Sequence, residues 1–285
     1  MKKPNILSDF SLRTTDFSSL EGHSSQAIVN EWFGMTLNVN PFRENFVRTG
    51  QPYHFEEGRI LMVSEGEADC ELNLEEFHIE KGDIILLVPE TVMELKKCSD
   101  DFNMVGVIYK ENIAALKNII LHATASEWKE VLRMMSVLWD IAHHAPFRRE
   151  TVQKLVAAII NNIQDINKEE EEQHPTKKLT RQETLFHQFK KIVNEHCATQ
   201  RAIPFYADKL YVSPHHLSAV ISKVSGKSVM FWINRAVVLQ AKVLLKNDNL
   251  MVYEIAERLN FPNQSAFGKF FKRETGMSPG EYRDG

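Results

Sequence analysis

Two short stretches near the end of the chain carry side chains whose types and spacing suit contact with a nucleic acid. The first holds Ser213, His215, His216, Ser218, Ser222, Lys223 and Lys227; the second holds Asn263, Gln264, Ser265, Lys269, Lys272 and Arg273. Short polar side chains at the start of a helix can read base edges in the major groove, while lysines and arginines around them bind phosphates. On that division the candidate base-facing residues are His215, His216, Ser218, Ser222, Gln264, Ser265 and Lys269. The candidate phosphate-facing residues are Ser213, Lys223, Lys227, Asn263, Lys272 and Arg273. A glutamine can pair bidentately with adenine and a lysine can pair with guanine. Ala219, on the same exposed face, could at most touch a thymine methyl.

These stretches must be held by helices, and the surrounding residues supply them as two copies of one unit. With one residue inserted in the turn, Ala207 aligns with Ala256, Leu210 with Leu259 and Val212 with Phe261. Leu217 then aligns with Phe267, Ile221 with Phe271, Gly226 with Gly276 and Ser228 with Ser278. The small alanine lets two helices cross closely, and the apolar residues at the turn fill the space between them. Ser213 is placed to cap the second helix of its copy, with Pro214 at the first helical position; Asn263 is the corresponding cap. Leu217 and Ile221, like Phe267 and Phe271, are four apart and bury one face. Gly226 and Gly276 stand where a left-handed C-terminal cap is wanted. A long helix from Ser228 to about Lys246 joins the copies. Each copy is thus expected to be a helix-turn-helix.

Charge agrees with that placement. The chain has 285 residues and a net charge of −4, but residues 1–175 carry −12 and residues 176–285 carry +8. An acidic first part joined to a basic second part suggests that the second part meets a polyanion. Between them, Lys168 to Lys178 is a charged run with four consecutive glutamates and a proline, and it is expected to be an interdomain linker. The expected domains are 1–167, a linker at 168–178, and 179–285.

The first part reads as strands followed by helices. Ile60–Val63, the alternation at Cys70, Leu72 and Leu74, the alternation at Phe77 and Ile79, and the apolar runs 84–88 and 104–109 suggest an antiparallel sandwich or barrel. Trp128, Val131, Leu132, Met135, Leu138, Trp139 and Ala142 recur at helical spacing, as do Val152, Leu155, Val156, Ile159, Ile160, Ile163 and Ile166. Those two apolar faces either pack on the barrel or make residues 127–167 a homodimer interface.

Several chemistries find no support. No apolar run approaches the ~20 residues needed to span a bilayer. Met1–Asn5 has two lysines but no apolar stretch behind them, so no signal peptide is expected. Cys70, Cys98 and Cys197 form no CxxC pair; no disulfide framework or zinc site is expected, and reduced thiols suit a cytoplasmic protein. His54 and His78 are isolated, and His143-His144 reads as a turn pair. A metal centre needs three or four convergent ligands. No metal, cofactor or catalytic residue is expected.

The tail resembles the AraC/XylS family of transcription regulators over roughly residues 180–285. The resemblance rests on Leu217, Gly226, Ser228, Trp232-Ile233-Asn234, Ala241, Leu244-Leu245, Glu254 through Phe261, Phe271 through Pro279, and Tyr282-Arg283. Two positions depart from the family pattern: Val237 stands in place of an arginine, with Arg235 nearby, and Asn260 in place of the glycine before the turn phenylalanine. Asparagine also accepts the left-handed conformation. The resemblance implies an α+β chain with an N-terminal antiparallel cupin-like barrel, dimerisation helices and an all-α double helix-turn-helix domain. Gly82-Asp83, the apolar strand and Pro89 look like the end of a cupin motif, with Met93 or Glu94 where an enzymatic cupin often has histidine. It further implies double-stranded DNA as partner, a small-molecule effector for the first domain, RNA polymerase if the protein is an activator, and no membrane. The competing classes are a ligand-independent DNA binder and a cupin-type enzyme fused to a DNA-binding domain.

Overall fold

The computed structural model describes residues 27–39, 48–110, 117–173, 179–246 and 250–284. Met1–Asn5 and residues 174–178 lie outside them. The chain divides into two compact units, a β-rich one within Asp9–Cys70 and Glu76–Thr176, and a helical one of Lys177–Gly285 with which Glu71–Glu75 group.

Ten strands are described, in two sheets. The first sheet has the order β1 (Ala27–Val29), β2 (Phe33–Val39), β9 (Asn103–Tyr109), β4 (Gly58–Glu65), β7 (Asp83–Leu87) and β10 (Ile119–His122). Its neighbours pair antiparallel, for example Ile60 opposite Leu86 and Val107. The second sheet has the order β3 (Pro52–Phe55), β8 (Thr91–Cys98), β5 (Glu67–Leu72) and β6 (Glu75–Glu80). Neither sheet closes on itself among the described residues. The antiparallel β region matches the expectation; in place of a closed barrel it is two open sheets. The alternation through Leu74 also ends early, because Asn73 and Leu74 both have positive φ and form the turn after β5.

Side chains alternate across a strand, and the first sheet uses both of its faces. Phe33, Met35, Ile60, Met62, Ile84, Leu86 and Val107 form one buried cluster with two helices, α1 (Ala125–Ala142) and α2 (Arg149–Gln173). Val131, Met135 and Leu138 from α1 and Val156, Ile159, Ile160 and Ile163 from α2 complete it. The apolar stripes that suggested a dimer interface are therefore covered within the unit. Facing outward on α1, Val137 is 49% exposed. On the sheet's other face Arg59 is buried, and its guanidinium stands 3.9 Å over the ring of Phe55. Burial pulls that guanidinium down to about 9, with Glu57 acting in the opposite direction.

The linker expectation needs correcting at its start. Helix α2 runs through Lys168 and the four glutamates to Gln173. Glutamate and lysine are good helix formers, and i,i+4 partners add to that. Lys168 Nζ lies 4.0 Å from Glu172, and Glu171 accepts from Asn167 and Lys117, each at 3.0 Å. The run is a solvated helix end as far as Gln173; residues 174–178 lie outside the described residues.

The helical unit contains α3 (Arg181–His196), α4 (Ile203–Lys209), α5 (Pro214–Ser225), α6 (Val229–Lys246), α7 (Val252–Arg258), α8 (Gln264–Thr275) and α9 (Pro279–Asp284). Thr180 and Glu183 form a reciprocal capping box at the start of α3, as Thr124 and Glu127 do for α1. No single helix among the described residues is long and apolar enough to cross a membrane.

All three cysteines are free. Burial pushes the thiols of Cys70 and Cys197 up to about 12, and raises Cys98, which is only half-buried. The thiolate is the reactive form. Native protein at pH 8 should therefore be alkylated at Cys98 well before Cys70 or Cys197, read by peptide mass spectrometry over time. Equal rates at the three sites would contradict this placement of the two buried thiols.

Candidate nucleic-acid interface

Each copy of the repeated unit is a helix, a tight turn and a 12-residue second helix: α4 to α5 and α7 to α8. Local chemistry fixes where the second helices begin. Ser213 Oγ accepts from His216 N at 3.1 Å, with Pro214 at the first position. Asn263 Oδ1 accepts from Ala266 N at 2.8 Å. Both helices end on a left-handed glycine, Gly226 at φ 67° and Gly276 at φ 83°. The turns carry the one other left-handed position per copy, Tyr211 at φ 56° and Asn260 at φ 52°.

The buried faces are as spaced in the sequence. Leu217, Val220 and Ile221 are buried on α5, and Phe267, Phe270 and Phe271 on α8. On the opposite faces His215, His216, Ser222 and Lys223 are exposed, as are Gln264, Ser265, Lys269, Lys272 and Arg273, and Lys227 is exposed just past the Gly226 cap. Each copy thus brings its polar candidates together along one helix.

Five candidates have prior engagements. Ser218 is half-buried, and its hydroxyl donates back to the Pro214 carbonyl at 2.8 Å, leaving its lone pairs for a partner. Arg273 donates to Glu274 Oε1 through Nε at 3.0 Å and Nη2 at 2.7 Å, and Asn234 also donates to that carboxylate, at 3.2 Å. Lys227 Nζ sits 5.2 Å from the centre of the Phe231 ring. Ser213 and Asn263 already spend an oxygen on capping; their outward surfaces remain exposed.

Helix α6 is the shared support. Val229, Ile233, Ala236, Val237, Leu239, Ala241, Val243 and Leu245 are buried on it. Val237, which departs from the family pattern, is fully buried, so an apolar residue suits that position. Trp232 ties α6 to the end of α5, donating from Nε1 to Ser225 Oγ at 3.0 Å.

Residues 206–285 match the helix-turn-helix domain family. They form a helix-turn-helix domain of the AraC/XylS type. Relatives include an uncharacterized HTH-type transcriptional regulator, YijO, of Escherichia coli (strain K12), 26% identical over 138 residues, which are 48% of this chain and 47% of YijO. The Msm operon regulatory protein of Streptococcus mutans is 24% identical over 294 residues, 98% of this chain and 96% of its own length. The arabinose operon regulatory protein of Escherichia coli (strain K12) is 31% identical over 94 residues, 33% of this chain and 32% of its length. The chain thus spans about half the length of relatives such as YijO.

Within this AraC/XylS-type domain, sequence reasoning missed Arg201. It lies before α4, far in sequence from the second turn, yet its guanidinium stacks 3.7 Å over Phe261 and donates to the Leu259 carbonyl and, at 3.5 Å, to that of Asn260. Its one legible signal was a lone arginine just ahead of an apolar helix. The histidines of the β unit also have partners: His78 Nδ1 lies 2.8 Å from Asp69, which raises its affinity for a proton, and His54 lies 3.1 Å from Glu90. Among the described residues no group of three or more His, Cys, Asp or Glu could hold a metal ion.

Arg201→Ala should lower stability by about 1–3 kcal/mol, because it strips carbonyls at the second turn of a charged donor. Urea unfolding followed by circular dichroism measures this. A change under about 0.3 kcal/mol would show that the turn holds itself.

Proposed function

We propose that the chain is a sequence-specific DNA-binding transcription regulator that reads DNA through α5 and α8. The observation that carries this reading is the pair of capped helices in one domain, each with its apolar face buried and its polar face exposed, within residues of net charge +8. Relatives named as an HTH-type transcriptional regulator and an operon regulatory protein support it. Each second helix would enter the major groove by its N-terminal end, and successive entries along one face of DNA fall one turn apart, about 34 Å.

In this reading His215, His216, Ser218, Ser222, Gln264, Ser265 and Lys269 face bases. Ser213, Lys223, Lys227, Asn263, Lys272 and Arg273 face the backbone. Arg273 contributes less than Lys272, since it must first give up Glu274. The β unit is the place for a small-molecule effector. A shallow surface cleft there is lined by Trp32, Phe33, Tyr109, Lys110, Phe147 and Arg149, so aromatic side chains stand beside two cationic ones. The reading puts the protein in the cytoplasm, with RNA polymerase as a further partner where it activates, and assigns it no enzymatic step.

A homodimer through residues 127–167 would have to use the outward side of α1 around Val137, because the inner stripes are already buried. Light scattering at tens of micromolar should then report twice the chain mass, falling to the monomer with Val137→Glu. A monomeric wild type would remove the dimer from the proposal.

Sequencing the DNA retained by purified protein from a random pool yields the preferred site and tests the proposal as a whole. On that site, Gln264→Ala should cost about 1–3 kcal/mol and relax preference at one or two base positions. Lys272→Ala should weaken binding to preferred and scrambled duplexes alike and reduce the salt slope by about one unit. The reverse pattern would invert the assignment of base-facing and phosphate-facing sides.

A further inference from the structure

The two copies differ in how they hold the same strained turn residue. Tyr211 and Asn260 occupy one position of the repeat, and both have a left-handed backbone. That conformation crowds Cβ against a carbonyl oxygen and is uncommon for a bulky side chain. Asparagine tolerates it, and Asn260 is tied down as well. Its Nδ2 donates to the Thr199 carbonyl at 2.9 Å, and its own carbonyl accepts from Arg201.

Tyr211 has the same backbone and neither advantage. The residue is 95% exposed, so the ring gains almost nothing from burial. Folding does not call for tyrosine here. A strained residue that folding does not need points toward a binding role.

Its position says what it would bind. Tyr211 stands between the end of α4 at Lys209 and the cap of α5 at Ser213, and no helical turn covers it. Residues flanking the start of a recognition helix border the groove that the helix enters, where phosphate oxygens are within reach. A phenolic hydroxyl is a donor suited to such an oxygen.

We infer that the Tyr211 hydroxyl donates a hydrogen bond to a DNA phosphate at the edge of the groove entered by α5; this rests on the DNA-binding reading above. The contact adds affinity without regard to sequence. Being uncharged, it releases no counterion, which separates it from every lysine contact on the same surface.

The test uses the full chain and the variants Tyr211→Phe and Tyr211→Asn, titrated against the preferred and a scrambled duplex at several salt concentrations, with a thermal melt of each. Tyr211→Asn should melt no lower than wild type, since asparagine suits the backbone. Both variants should lose about two- to tenfold in affinity on both duplexes, with an unchanged salt slope. Wild-type affinity in Tyr211→Phe overturns the inference, whatever Tyr211→Asn does. A loss confined to the preferred duplex overturns it in favour of a base contact. Wild-type protein that binds neither duplex overturns the regulator reading itself, and the inference with it.

Discussion

Ala241 and Leu245 of α6 share a buried cluster with Phe267 and Phe271 of α8, while Trp232 at the other end of α6 is hydrogen-bonded to the last turn of α5. Helix α6 also contacts α3, α7 and α9. Helices α5 and α8 therefore both take their positions from one rod, and the relation between their polar faces is set by which α6 residues are apolar. Fully burying an aliphatic or aromatic side chain stabilises by about 1.5–3 kcal/mol, so the eight buried positions on α6 outweigh any single polar contact on the exposed surface. The surface residues are free to be chosen for a partner because they carry little of the folding energy.

Much of this was legible because it is local. A serine or asparagine cap, a proline after it and a glycine twelve residues beyond the helix start each act on the backbone next to them. That is why Ser213, Pro214, Asn263, Gly226 and Gly276 could be assigned from the sequence. Asn260 could be assigned to the left-handed region on the same grounds. The polar candidates followed as the residues opposite Leu217, Ile221, Phe267 and Phe271. The threonine–glutamate pairs at Thr124 and Thr180 were equally local signals and would have fixed the starts of α1 and α3.

The rest depends on partners distant in sequence. Strand β8 hides its alternation because Glu94 is buried, held by Lys96 at 2.9 Å, so a charged residue sits where the pattern wants an apolar one. Strand β3 is four residues long and begins with proline. Whether the stripes on α1 and α2 meet a sheet or a second copy could not be read from their spacing, since either surface satisfies the same periodicity. Composition misled at the glutamate run, where polarity suggests a linker and helix propensity argues otherwise. Arg201 reaches a turn that begins nearly sixty residues later, beyond any local pattern.

Helices α5 and α8 have the same length and the same kind of boundary at each end, and the extra residue of the second copy falls in the turn ahead of the cap. The distance from cap to terminal glycine is thus a fixed measure, and the turn before it is the adjustable part. Each of these two helices is in effect a cassette with standard fittings. Its outward side chains can be rewritten, or one cassette's exchanged for the other's, without disturbing the register of the buried face. Insertions and deletions, by contrast, are tolerable only outside the fittings, because one residue gained or lost between them would turn the buried side chains away from α6. A lineage built on this domain can change the face that either helix offers by substitution alone.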